Sequence, residues 1–143
     1  MTRTNFWVSL SVVLGLLAFG SAGPALAHHS FAMFDHNRSV LVDGTVTKFQ
    51  WTNPHVYLDL DAKDKDGVVK HYVIECMAVN MLVRAGWHSK MMKPGDKVKV
   101  LIAPLLNGQP GGLILRVTLA DGRTIDAPVP AANTFKRTAS EQE

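Results

Sequence analysis

The segment His28-His29-Ser30 follows Ala25-Leu26-Ala27, a run of small residues of the A-x-A kind at which exported proteins are cut. Cleavage after Ala27 makes His28 the first residue. An amino-terminal histidine offers its α-amine and ring Nδ1 as a chelating pair, and a second imidazole completes the planar, nitrogen-rich site that Cu(II) prefers. Both groups deprotonate cheaply near neutrality, with ordinary pKa values of about 7.7–8.0 and about 6.5. His29 offers a further chelate in second position, and Met33 and His36 lie close by, Met being a ligand for Cu(I). The plainer reading is a polar stretch left after a leader, binding copper only as an unfolded peptide does. No spaced pattern such as H-x-x-x-H or C-x-x-C adds to it.

Trp51-Thr52-Asn53-Pro54-His55 is the second candidate. Asn before Pro is held extended, and Pro cannot donate to a β-ladder, so the segment sits at a joint between strands. There it presents Trp51, Asn53, His55 and the following Tyr57 at a rim where a small barrel can bind. As a bare structural corner, Trp51 would cover core and Asn53 would cap the turn. His55 is the first choice of imidazole partner for His28, giving a candidate metal set of His28, His29 and His55. Trp51, Asn53 and Tyr57 are the candidate contacts for a ligand or partner.

Other chemistry fails on spacing. Asp59, Asp61, Asp64, Asp66 and Gly67 invite a calcium loop, but with Gly67 sixth the first and twelfth positions fall on Ala62 and Val73, neither a ligand. Cys76 is the sole cysteine, so no internal disulfide forms. His71 and Cys76 have opposite parity on one strand and make no dyad. His71 and Glu75 share a face but stand about 13 Å apart at 3.3 Å per residue. Met77, Met81, Met91 and Met92 fit core packing better than a copper surface. No nucleophile elbow, phosphate loop or paired-carboxylate arrangement is present, and a non-enzymatic role is expected.

The elements that position these residues begin after residue 27. No Asp, Glu, Lys or Arg lies between Arg3 and Asp35. Arg3, an apolar run from Phe6 to Phe19 and the breakers Ser21, Gly23 and Pro24 make residues 1–27 a signal peptide. That run of about 14 residues is short of the roughly 20 that span a bilayer, so no stable membrane anchor is expected after cleavage. The expected product is periplasmic, 116 residues from His28, with 14 basic and 12 acidic side chains and a net charge of +2 with His neutral. That size excludes multidomain enzymes and large α/β folds. The weak charge argues against nucleic acid as a partner and leaves an exported protein or a small ligand.

Val40–Trp51 reads as a strand whose parity switches, placing a bulge or bend beside Gly44. Val56, Leu58, Leu60 and Ala62 alternate with polar residues as a second strand, and Asp64-Lys65-Asp66-Gly67 is a hairpin turn. Val68, Tyr72, Ile74 and Cys76 line one face of a third strand. Val79, Leu82 and Val83 mark one short helix ending at Gly86. Val98, Val100 and Ile102 point inward from a fourth strand, and Leu113, Leu115, Val117 and Leu119 from a fifth, with a short edge at Thr124-Ile125. This order predicts an all-β fold with one short helix, an OB-fold-like, five-stranded, partly open barrel, with a small sandwich as the competing arrangement. The expected layout is a signal peptide over 1–27, an arm over 28–39, the barrel over 40–126 and a flexible tail over 127–143.

Taken together, His28-His29-Ser30 after an export leader, Trp51-x-Asn53-Pro54-His55, Glu75, Leu82-x-x-x-Gly86-Trp87, Lys93-Pro94-Gly95-Asp96 and Asp121-Gly122-Arg123 resemble a family of small exported proteobacterial proteins known only as a domain of unknown function. The resemblance runs from His28 to about Ile125. It implies the same compartment and a small β-barrel, and no particular activity. The family's His-His start and Asn-Pro-His motif fall on His28, His29 and His55. Cys76 stands where the family is expected to have a small residue, which argues further against a catalytic thiol.

Overall fold

In the computed structural model, residues 31–130 and 133–137 are described. The leader, its cleavage site, His28 and His29 lie outside them.

Six strands run in chain order: β1 (Val40–Gln50), β2 (Tyr57–Lys63), β3 (Val69–Glu75), β4 (Lys97–Pro104), β5 (Gly111–Thr118) and β6 (Thr124–Asp126), with helix α1 (Val79–Arg84) between β3 and β4. The sheet order is β3-β2-β1-β4-β5-β6, and β3 also pairs with β5. The first five strands therefore form a closed mixed barrel, with β6 added outside the ring. The fold is mostly β with one short helix, as the sequence predicts. The closing seam is parallel and covers three residue pairs, Val73–Gly111, Ile74–Gly112 and Glu75–Leu113. Gly111 permits it: a Cβ there would stand 2.5 Å from the Val73 carbonyl oxygen.

Period-two burial builds the core. Leu58, Leu60 and Ala62 of β2 face inward, as do Val98 and Val100 of β4. In β1 the inward parity persists from Val40 through Val46, and the ladder to β2 slips between Val46 and Lys48, not beside Gly44. Gly44 answers a different need. A Cβ there would lie 2.6 Å from the Leu60 methyl and 2.8 Å from the Asp61 carbonyl oxygen, so its missing side chain lets β2 approach.

Helix α1 stops at Gly86, which takes a positive φ of 86°. The Trp87 N–H donates to the Leu82 carbonyl and the Gly86 N–H to the Val83 carbonyl, the paired bonds of a Schellman end. Leu82 and Trp87 are buried together in the core, whereas Val83, expected on the same face, is 54% exposed. Met77 and Met92 are core residues, and Met81 and Met91 pack partly buried against them. Val68 also departs from expectation: it is 57% exposed, in the hairpin beyond the end of the β3 ladder.

The segments flanking the barrel are tied to one another. Phe34 bridges to Leu105. The His36 ring stacks on Phe135 at 4.1 Å and its nitrogens face the carbonyl oxygens of Phe31 and Thr134. Within the stretch expected to be a flexible tail, Ala127 and Phe135 are buried and the Arg137 guanidinium donates to the Leu115 and Ala127 carbonyls. Two apolar side chains and a guanidinium finding main-chain acceptors are enough to dock this part of the chain.

Candidate functional site

Of the candidate residues, the structure describes His55, Trp51, Asn53 and Tyr57, all at the end of the barrel where β1 finishes and β2 begins. Antiparallel pairing sets Tyr57 directly opposite Glu75. The pairing continues one step beyond the strands: the Cys76 N–H donates to the Val56 carbonyl and the Val56 N–H to the Met77 carbonyl. His55 therefore lies on the same outer face as Tyr57, diagonal to Glu75, within reach of a long side chain.

Glu75 uses that reach. His55 Nδ1 lies 2.6 Å from the Glu75 carboxylate and 3.2 Å from the Cys76 carbonyl oxygen. Both neighbours are acceptors, so a proton sits on Nδ1, and Nε2 is the nitrogen left to carry the lone pair in the neutral tautomer. The imidazole and carboxylate are 20% and 14% exposed, respectively, a half-sheltered setting in which a charge-assisted bond keeps its strength. Burial, then the negative charge of Glu75, pushes the Tyr57 phenol above its ordinary pKa, so it stays protonated. The rings of Phe49 and Trp51 sit 5.6 Å apart at the end of β1, both packed partly buried against the core. Asn53 and Pro54, joined by a cis peptide bond, form the exposed tip of the loop.

The remaining candidates separate from this site. Cys76 is fully buried, and burial pushes its thiol far above the ordinary range. His71 is exposed and pairs instead with Asp61, its cross-strand neighbour, at 2.8 Å. Asp64, the centre of the rejected calcium loop, accepts the N–H groups of Asp66 and Val68 and an ion pair from Lys70 at 3.0 Å. Lys70 first, then the Val68 N–H, hold its carboxyl below the usual carboxylate range. Among the described residues no group of three or more His, Cys, Asp or Glu side chains is placed to hold a metal ion. No described helix is long and apolar enough to cross a membrane.

Glu75 is the member of the site that sequence reasoning missed as a partner of His55. The signal lay in the hairpin: counting outward from the five-residue loop Asp64–Val68 pairs Lys63 with Val69 and, six residues further on each side, Tyr57 with Glu75.

A family model described as a family of unknown function, DUF6152, matches residues 16–116. The chain belongs to DUF6152. The DUF6152 match takes in Trp51–His55, Tyr57 and Glu75, and ends within β5, leaving out β6 and the docked segment beyond it. No curated protein and no solved structure matches this DUF6152 member.

Proposed function

We propose that this protein is a small exported, non-enzymatic binding protein that holds copper through the mature amino terminus, with His28 and His29 as ligands and His55 as the added imidazole. The observation that carries the reading is the His55–Glu75 contact at 2.6 Å. A metal-ligating histidine ordinarily donates its other ring N–H to a carboxylate or carbonyl, which fixes the tautomer and raises ligand basicity. His55 has both kinds of acceptor on Nδ1. One imidazole does not make a site, and an α-amine with its adjacent imidazole supplies the nitrogens Cu(II) favours. Export to the periplasm is supported by the leader and by Ala25-Leu26-Ala27. The strand order around the ring, 1-2-3-5-4, and the helix between β3 and β4 support an OB-like reading of the barrel. A buried, protonated thiol supports a non-enzymatic role.

The test is a Cu(II) titration of the exported protein, its first residue established by intact mass. An added Ala before His28 is expected to weaken binding at least 100-fold, because it removes the chelating amine. His55→Ala is expected to change the visible spectrum of the complex, and Glu75→Gln to weaken binding about 10- to 100-fold. Equal affinity with and without the extra residue overturns the amino-terminal site. An unchanged spectrum in His55→Ala reduces the binding to that of a bare peptide.

A metal-free interaction module is the second reading. The Phe49–Trp51 pair, partly exposed where β1 enters the exposed Asn53 loop, favours it, since aromatic rings flanked by polar groups make good contact surfaces. Absence of copper binding in every form shifts the choice to this reading.

A further inference from the structure

The end of the barrel away from His55 holds a cavity of about 410 Å³, bounded by the start of β1, the end of β2 and the β4–β5 loop. Its volume falls in the range of small-molecule sites, roughly 300–1,000 Å³. Apolar lining comes from Val40, Ile102 and Leu105, with the half-buried ring of Tyr72. Arg38, Lys63, Lys65 and Lys70 also line it, together with two acids, Asp43 and Asp64.

The acids do not cancel the cations. Asp64 is occupied by Lys70 and by two backbone N–H groups. Asp43 lies 3.6 Å from Lys99, which is outside the cavity lining. Among the described residues, Arg38, Lys63 and Lys65 have no carboxylate within ion-pair distance, so three uncompensated positive charges border a recess of mixed polar and apolar lining. Each is exposed, as a solvated surface cation would be. What distinguishes them is convergence from two separate segments on one lined cavity: Arg38 before β1, and Lys63 and Lys65 where β2 passes into the hairpin.

We propose that this mouth binds a small amphipathic organic anion, a carboxylate on an apolar or aromatic body. The body lies against Val40, Ile102, Leu105 and Tyr72. The carboxylate sits among Arg38, Lys63 and Lys65, where the planar guanidinium of Arg38 matches its geometry. The site is independent of His55: Lys63 and Tyr57 are the two ends of β2, about 20 Å apart at 3.3 Å per residue.

The experiment is an NMR titration of the ¹⁵N-labelled exported protein with octanoate, and separately with inorganic phosphate at matched ionic strength. Octanoate is expected to shift the amides of Tyr72 and Gly111 saturably, with the Trp51–Tyr57 amides unmoved. The double variant Arg38→Gln/Lys63→Gln is expected to raise the Kd at least tenfold, while Lys90→Gln, exposed and outside the cavity, leaves it unchanged. No saturable shift, or the same loss in Lys90→Gln, overturns the site. Equal shifts with phosphate show that the apolar recess takes no part and overturn the ligand class. Copper binding is read in a separate titration, so either proposal can fail alone.

Discussion

The two ends of this barrel are finished differently. At one end the segment between β3 and β4 supplies Leu82, Trp87 and Met92 to the core, and the His55–Glu75 pair at the β1–β2 joint is half-sheltered. At the other, Val68, Val69 and Leu106 are each more than half exposed, and cations surround an open recess. The same strands run through both ends, so strand composition does not explain the difference. It comes from the connections: a helix with a buried aromatic stop at one end, a hairpin and a glycine-containing loop at the other. A sealed end can hold one imidazole in a fixed tautomer. An open end can admit a ligand with an apolar body.

The strongest way to break this contrast is to remove the seal. Trp87 is 2% exposed and its indole N–H donates to the Asp126 carbonyl at 3.1 Å. Trp87→Ala is expected to cost about 3–5 kcal/mol of unfolding free energy, from the lost burial and the cavity it leaves. Leu106→Ala, at the open end, removes a side chain that is 64% exposed and is expected to cost less than about 0.5 kcal/mol. Urea unfolding measures both, and equal losses would show that the two ends are alike in energy.

The seam between them is the next target. A methyl group at Gly111 meets the Val73 carbonyl oxygen at 2.5 Å, too close for anything but a backbone shift. Gly111→Ala is expected to cost about 1–3 kcal/mol, the usual penalty for overpacking. Hydrogen exchange is expected to quicken at Val73–Glu75 more than at Leu58–Ala62, which β1 and β3 hold from both sides.

Much of this difference is legible in the amino-acid pattern. The clean alternation over Val56–Ala62 marks β2, the Asp64–Gly67 turn marks the hairpin, and Gly86 followed by Trp87 marks the helix stop. The slip in β1 is misplaced by a reading that takes glycine as the sign of a bulge. Yet Val46 shares the parity of Val40 and Val42, so the change of face has to fall after it; Gly44 answers the nearness of Leu60 and Asp61, a tertiary demand invisible in β1 alone. The docking of Phe135 is hidden in a stretch whose composition is that of a loose tail, because one stacking partner, His36, lies 99 residues earlier. The candidate site is half legible: His55 stands out by type, whereas Glu75 becomes its partner only through strand register.

The smallest expected effect asks whether charge contributes to the sealed end. The Asp126 carboxylate accepts from the Arg116 guanidinium at 2.7 Å and lies 3.4 Å from Arg137, while its backbone carbonyl receives the Trp87 indole. Arg116 first, against a smaller effect of burial, holds the carboxyl below its ordinary range. A carboxyl whose pKa is lower folded than unfolded stabilises the folded state fully above the unfolded value, about 3.9, and loses that contribution as pH falls through the folded value. Asp126→Asn keeps the carbonyl and removes only the charge. With the side chain 59% exposed, the loss at pH 7 is expected to be about 0.5 kcal/mol, and to shrink in high salt. Urea midpoints of the variant and the wild type are expected to converge as the pH is lowered below 4. A difference that persists into acid would mean that Asn disturbs the Trp87 contact itself, and that the seal depends on the geometry of this edge rather than on its charge.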